Sequence, residues 1–312
     1  MSNPQEKALK EAHPILKTAE KECKGGIFSK PDYASGGAAY EKAYNILYKA
    51  KLYKEAMNAA MKGADAYDKC NLPLKAGALS QNAAQAAFQD KQYDQLVPIL
   101  DLCKCRFQAG NQALAGIRAV REMASRMRPI DKEISYQLYG SALDLVEDDE
   151  QYTWEKETFL DYACLALEMK KYPDVFKAWA RAEKAFLFLK NTDAAAHCIS
   201  AIVAIHLQRG DVVAAQNVFE EAMQKDYYVH TEDFSMIDFI LRGVKNQDGD
   251  LIEAGQKNFI IQMLKPEIGR IIMGFKAPKS APQPVPGSGQ AAPAPAPAQD
   301  DKDEEESDLD LL

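Results

Sequence analysis

QRGDVVAA at residues 208–215 closes one helix on a short polar turn and opens the next. Four earlier strings do the same: KAKLYKEA at 49–56, QDKQYDQL at 89–96, MRPIDKEI at 127–134 and KKYPDVFK at 170–177. Aligned on Tyr53, Tyr93, Ile130, Tyr172 and Val212, they recur at intervals of 40, 37, 42 and 40 residues. Partner helices are expected between them, at roughly 73–89, 112–127, 152–170 and 193–208. Pro31, Pro73, Pro129 and Pro173 each stand just ahead of an Ala-rich stretch of 3.6-residue periodicity, where a first helical turn accepts proline. Pro98 is the exception and predicts a kink. No run of alternating β-branched residues is bounded by hairpin turns. The chain reads as all-α.

Two helices per unit and a period near 40 resemble an elongated tetratricopeptide-like hairpin, whose usual period is about 34. Ala59, Ala60, Ala64, Ala83, Ala84, Ala87, Ala178, Ala182, Ala195, Ala214 and Ala215 allow helices to approach closely. One hairpin cannot bury its own apolar face, so the units are expected to stack into a curved, right-handed solenoid with a concave and a convex surface. Residues 231–276 break the period while staying helical. Their apolar positions (among them Phe234, Ile237, Ile240, Ile252 and Leu264) predict a compact helical cap, entered through Thr231 as N-cap with Glu232 and Asp233 in an acidic first turn. The expected organisation is a solenoid over 1–230, the cap over 231–276, a linker over 277–299 and a tail over 300–312. Seven of the 15 prolines fall in APKSAPQPVPGSGQAAPAPAPAQ, so the linker is read as extended and solvated. DDKDEEESDLDLL is a run of like charge expected to stay disordered.

Among 312 residues, 38 Lys and Arg face 46 Asp and Glu, for a net charge of −8. Eight acids and one lysine at 300–312 account for −7 of it, leaving −1 for the body. That balance argues against a nucleic-acid binder driven by a positive field. No apolar run reaches the ~18 residues of a membrane span, and the N-terminus lacks the apolar core of a secretory signal. Cys23, Cys70, Cys103, Cys105, Cys164 and Cys198 are scattered, as reduced thiols of a cytosolic protein would be. The expected setting is soluble and cytoplasmic.

Motifs that carry chemistry are sparse. Gly25 and Gly26 are followed by IFSKPD, without the spacing or the Lys-Ser/Thr of a phosphate loop. His197 adjoins Cys198, and Cys103 and Cys105 stand two apart, pointing to different helix faces; neither has the spacing of a zinc site. No pattern supports a nucleophile with its base. The reading is a protein that is not an enzyme and takes no cofactor or metal.

Longer strings carry a family resemblance. GIFSKPDYASGGAAYEKAYNILYKAKLYKEA at 26–56 and NLPLKAGALSQNAAQAA at 71–87 resemble the N-terminal hairpins of the soluble NSF attachment proteins. KPDY at 30–33, HLQRGDVVAAQ at 206–216 and the TED…NQDGDL stretch at 231–251 resemble the gamma-type branch of that family. The likeness runs over about residues 20–276, and the order of the motifs with their ~40-residue period is more specific than any one of them.

The resemblance implies an adaptor, with no active site of its own, for vesicle fusion and intracellular protein transport. Several copies would wrap a membrane-anchored SNARE four-helix complex (syntaxin-type) and recruit the hexameric ATPase N-ethylmaleimide-sensitive factor, NSF, which takes it apart. It implies a charged concave face for the SNAREs. Matching places Arg118 and Arg121 on one helix and Lys156 on the next, extended by Arg126 and Arg128; residues 118–128 hold four arginines and one acid. It implies an ATPase-binding C-terminal end, with Asp248, Asp250, Glu253 and the terminal Leu312 as candidates. It implies an apolar N-terminal loop that touches lipid transiently, here Ile27 and Phe28, each worth at most ~1.5–3 kcal/mol on burial.

Two other readings remain open on the residues. One is a tetratricopeptide-like scaffold that holds some other peptide or protein partner. The other concerns the tail, where DLDLL at 308–312 fits an acidic D-x-x-L-L sorting pattern and Ser307 stands before acid as in acidophilic kinase sites.

Overall fold

The computed structural model describes residues 3–26, 29–146 and 156–277, and these contain fifteen α-helices and no strand. The tail at 300–312, and the linker from 278 onward, lie outside the described residues. The helices are α1 (Pro4–Lys24), α2 (Tyr33–Lys49), α3 (Tyr53–Lys69), α4 (Pro73–Gln89), α5 (Leu96–Ala109), α6 (Ala113–Met127), α7 (Lys132–Val146) and α8 (Lys156–Glu168). They continue as α9 (Tyr172–Phe188), α10 (Thr192–Gln208), α11 (Val212–Ala222), α12 (Asp226–Val229), α13 (Glu232–Asn246), α14 (Gly249–Gln256) and α15 (Pro266–Gly274). From α1 to α11 each helix packs on the next, giving the stacked-hairpin solenoid expected from the repeat.

The turns explain the period. Most neighbours are joined by three residues, and the middle one is left-handed: Lys51, Asn71, Asn111, Lys170, Lys190 and Gly210, with Lys91 in the same place ahead of the 3-10 turn at Tyr93–Gln95; φ runs from 56° to 78°. The residue after each returns its N–H to the carbonyl five positions back, as from Leu52 to Leu47 at 3.0 Å and from Asp211 to His206 at 3.0 Å. These are Schellman closures. Seventeen helical residues and three of turn repeat every twenty, and two such units make forty. The α6–α7 turn departs from this. Its residues 128–131 contain no left-handed position; the Met127 carbonyl accepts from both Ile130 and Asp131, and Asp131 then caps α7 through the Glu133 and Ile134 N–H groups. The intervals of 37 and 42 residues meet at this turn.

Proline placement differs from expectation at two kinds of site. Pro73 and Pro173 open α4 and α9, whereas Pro31 and Pro129 fall in the preceding turns. Pro98 causes no interior kink. A 3-10 turn at Tyr93–Gln95 precedes α5, so Pro98 is the third residue of that helix, where its missing N–H has no partner to lose. It is Pro14 that stands inside a helix, α1.

Of the small residues expected at helix contacts, all are buried except Ala214, which is half-buried. Gly63 shows why size matters: a Cβ there would come within 2.6 Å of Leu79 Cδ2 and 2.9 Å of Tyr40 Cβ. The apolar core is continuous along the stack, from Ala12 to Ile272.

Polar pairs tie each hairpin to the next at separations near one period. Lys62 meets Glu20 at 3.1 Å, Arg106 meets Asp65 and Asp68, Tyr136 donates to Asp174 at 2.6 Å, and Lys225 meets Glu183 at 2.6 Å. At the C-terminal end the chain turns back: Ile268, Ile271 and Ile272 of α15 are buried, with α15 against α10, and its leading residues reach α8 and the end of α6.

Candidate partner-binding surface

On α6 the buried residues Ile117, Val120, Met123, Ala124 and Met127 face the core, so the arginines between them take the opposite side. Arg118 is exposed and Arg121 is half-buried. With Arg126, Glu122, Ser125 and Asp161 of α8 they line an open depression of about 520 Å³. Arg121 Nε stands 3.5 Å from Asp161. Arg126 donates to Gln85 on α4 and stands over the Phe88 ring, its Cζ 4.0 Å from the centroid. The depression thus gathers three of the five basic residues expected at the SNARE face.

The other two are elsewhere. Arg128 bridges Glu168 of α8 and Glu267 of α15, the latter at 2.9 Å. Burial opposes its charge, but the hydrogen bonds and charges of Glu168 and Glu267 outweigh it and hold the guanidinium above its usual range. Arg128 therefore clamps the C-terminal segment onto the stack. Lys156 begins α8, with Nζ 6.0 Å over the Phe186 ring, and lines a separate cleft of about 300 Å³ with Trp179, His197, Leu264 and Lys265. Lys265 sits between Glu157 and Asp161 at 3.1 and 3.4 Å; burial disfavours its charge, and the two carboxylates more than restore it, raising its pKa. Asp161, a wall of the depression, also meets both Arg121 and Lys265, the latter a residue of the cleft.

At the acidic end, Asp248 is the N-cap of α14 and accepts from the Asp250 and Leu251 N–H groups at 2.9 and 3.1 Å. Asp250 is exposed in the first turn, and Glu253 pairs with Lys257 at 2.8 Å. Leu312 lies outside the described residues, as do Ile27 and Phe28. Their described neighbours Gly26 and Ser29 exchange backbone hydrogen bonds of 3.0 and 3.3 Å, and Gly25 takes a φ of 68° that spares a side chain.

One buried polar cluster had no signal in the sequence. Asp233, 1% exposed, accepts from Ser200 Oγ at 2.8 Å and meets His197 Nδ1 at 2.9 Å. Sequence position marks Asp233 only as a first-turn acid; its partners are 33 and 36 residues away. The thiol beside His197 is not activated by it: Cys198 donates to the Ala194 carbonyl, and burial raises its pKa well above the ordinary value. Burial likewise pushes Cys103 and Cys164 up to about 12. Among the described residues, no group of three His, Cys, Asp or Glu side chains is placed to hold a metal ion, and no helix is long and apolar enough to cross a membrane.

Stacked hairpins with a charged depression across two of them define a helical-hairpin scaffold of the tetratricopeptide-like class. A family model described as soluble NSF attachment protein, SNAP, matches residues 10–260, and the chain belongs to that family. It is similar to the gamma-soluble NSF attachment protein of Dictyostelium discoideum, with 24% identity over 277 residues that cover 88% of this chain and 85% of that relative. The resemblance carried by KPDY and HLQRGDVVAAQ is in accord with both.

Proposed function

We propose that the chain is a non-enzymatic, cytoplasmic adaptor, peripheral to membranes, that binds SNARE four-helix complexes and recruits the NSF ATPase for their disassembly. The observation that carries this reading is the family match, which runs over almost the whole helical stack, 10–260. Its gamma-type relative supports the same role. In this account the partner bundle, acidic on its surface, lies along the depression of Arg118, Arg121 and Arg126 and extends to Lys156, in the separate cleft at the start of α8. Arg128 acts at one remove, by fixing the segment that begins α15. Ile27 and Phe28 give the lipid contact, and Asp248, Asp250, Glu253 and Leu312 meet the ATPase. The solenoid to residue 230, the cap to 276, the linker to 299 and the acidic tail are the working divisions of that adaptor.

Surface charge of this kind gives orientation and encounter rate more than anchorage, and salt weakens it. The test is capture of the chain by an immobilised SNARE four-helix complex. Arg118→Glu with Arg121→Glu should weaken capture at low salt, by a factor that shrinks at high salt where screening has already removed the attraction. Equal capture of parent and variant at low salt would remove these arginines from the interface.

A further inference from the structure

Charge along the chain is strongly polarised. Residues 1–128 hold twenty Lys and Arg against thirteen Asp and Glu, residues 129–299 hold seventeen against twenty-five, and residues 300–312 hold one against eight. The most acidic segment is therefore tethered to the acidic half of the protein and repelled by it.

We infer that the acidic segment 300–312 docks within its own chain, on the arginine depression of α6, and competes there with an acidic partner. Three observations support this choice of occupant. First, the point of departure is near. Lys265, just ahead of α15, holds Asp161 at 3.4 Å, and Asp161 is a wall of the depression. The nine residues of α15 add ~13 Å and the three that follow add at most ~10 Å. With the ~6 Å of the Lys265 side chain included, the described chain ends at Ala277 within about 35 Å of Asp161.

Second, the length of the connection fits. Residues 278–299 number twenty-two, and a chain of that length spans on the order of 25 Å as a random coil and up to ~70 Å at full extension. A linker that covers the gap without being fully extended holds its ligand at an effective concentration approaching a millimolar. Third, the charges are complementary. Three guanidinium groups meet two carboxylates at the depression, and Asp161 is itself engaged by Lys265. A few exposed charge pairs give weak binding, and a millimolar effective concentration brings weak binding to partial occupancy. The outcome is a damper on partner binding of a few-fold, strongest at low salt.

The contact is tested without any partner, so it stands or falls apart from the function proposed above. A benzophenone amino acid is placed at Ser307 in the full chain, and cross-links are mapped after irradiation. They are expected within the monomer, concentrated in residues 113–131 at 50 mM salt, and reduced at least threefold at 300 mM. The pair Arg118→Glu with Arg121→Glu should produce the same loss. Cross-links spread evenly over the chain, found only between two copies, or indifferent to salt would overturn the inference; the salt series needs no variant to fold. The competition rests on the proposed SNARE reading and has its own readout. Replacing the eight tail acids by Asn and Gln should tighten capture of the SNARE complex about threefold at low salt and leave it unchanged at high salt. Unchanged capture in a chain that shows the cross-links would overturn the competition.

Discussion

Arg106 on α5 reaches Asp65 on α3, Nη2 to Oδ1 at 2.6 Å, across 41 residues of chain. Its Nε meets Asp68 at 2.7 Å, and its Nη1 meets Ser80. The arrangement is asymmetric: the Arg106 side chain is 8% exposed, while the two carboxylates are 59% and 39% exposed. Removing the arginine returns both acids to water, but removing the acids strands a buried charge.

Arg106→Met is accordingly expected to cost about 1–2 kcal/mol, and Asp65→Asn with Asp68→Asn about 3 kcal/mol. Urea denaturation checks the order of the two. The reverse order would mean that the guanidinium is solvated in the folded protein.

Two glycines inside helices are expected to respond in opposite directions. Gly63→Ala drives a methyl toward Tyr40 Cβ, which is fixed to its backbone, and should destabilise by about 1–3 kcal/mol. Gly140 in α7 has nothing within 4 Å of its Cβ position, and Gly140→Ala should stabilise by about 0.5–1 kcal/mol. Denaturant midpoints measured at constant slope compare them.

Four turns place lysine in the left-handed region, at Lys51, Lys91, Lys170 and Lys190. Glycine removes the steric cost there and returns part of the gain through a more flexible unfolded chain. Each Lys→Gly change should raise stability by up to about 0.5 kcal/mol, and Gly210→Ala should lower it by about 1 kcal/mol. A calorimetric melting point that falls in the fourfold glycine variant would contradict the Schellman assignment.

His206 stacks on Phe176, with centroids 4.1 Å apart, and its pKa is lowered, by burial first and by Arg209 as well, against an opposing pull from Asp211. The unfolded state then binds the proton more readily, so the His206 contribution is intact above the ordinary histidine pKa and is lost as pH falls below it. Screening at a partly solvated site keeps this under ~1 kcal/mol. His206→Phe should flatten the decline of melting temperature between pH 7 and 5, and an unchanged decline would assign it to other groups.

How much of this was legible follows from the kind of interaction. The period, the partner helices and the family were open to reading because helix and turn lengths repeat along the chain, and local signals such as Thr231 capping Phe234 act within one turn. Pro98 misled because a 3-10 turn before it shifted the helix start, a matter of backbone hydrogen bonding that the residue types leave open. Arg118, Arg121 and Arg126 could be grouped by helical spacing. Arg128 could not be set apart from them, because its partner Glu267 is 139 residues away. Asp233 was hidden for the same reason. A search for opposite charges about one period apart would have found Arg106 with Asp65 and Asp68, Lys62 with Glu20, and Lys225 with Glu183.

The adaptor account is tested most directly by ordered retention of the ATPase. SNARE four-helix complexes are immobilised, the chain is added, and then NSF with a non-hydrolysable nucleotide. The account predicts that NSF is held only when both the complex and this chain are present, and that ATP with magnesium then releases the separated SNARE proteins. NSF held equally without the chain, or not held although the chain is bound, would contradict it.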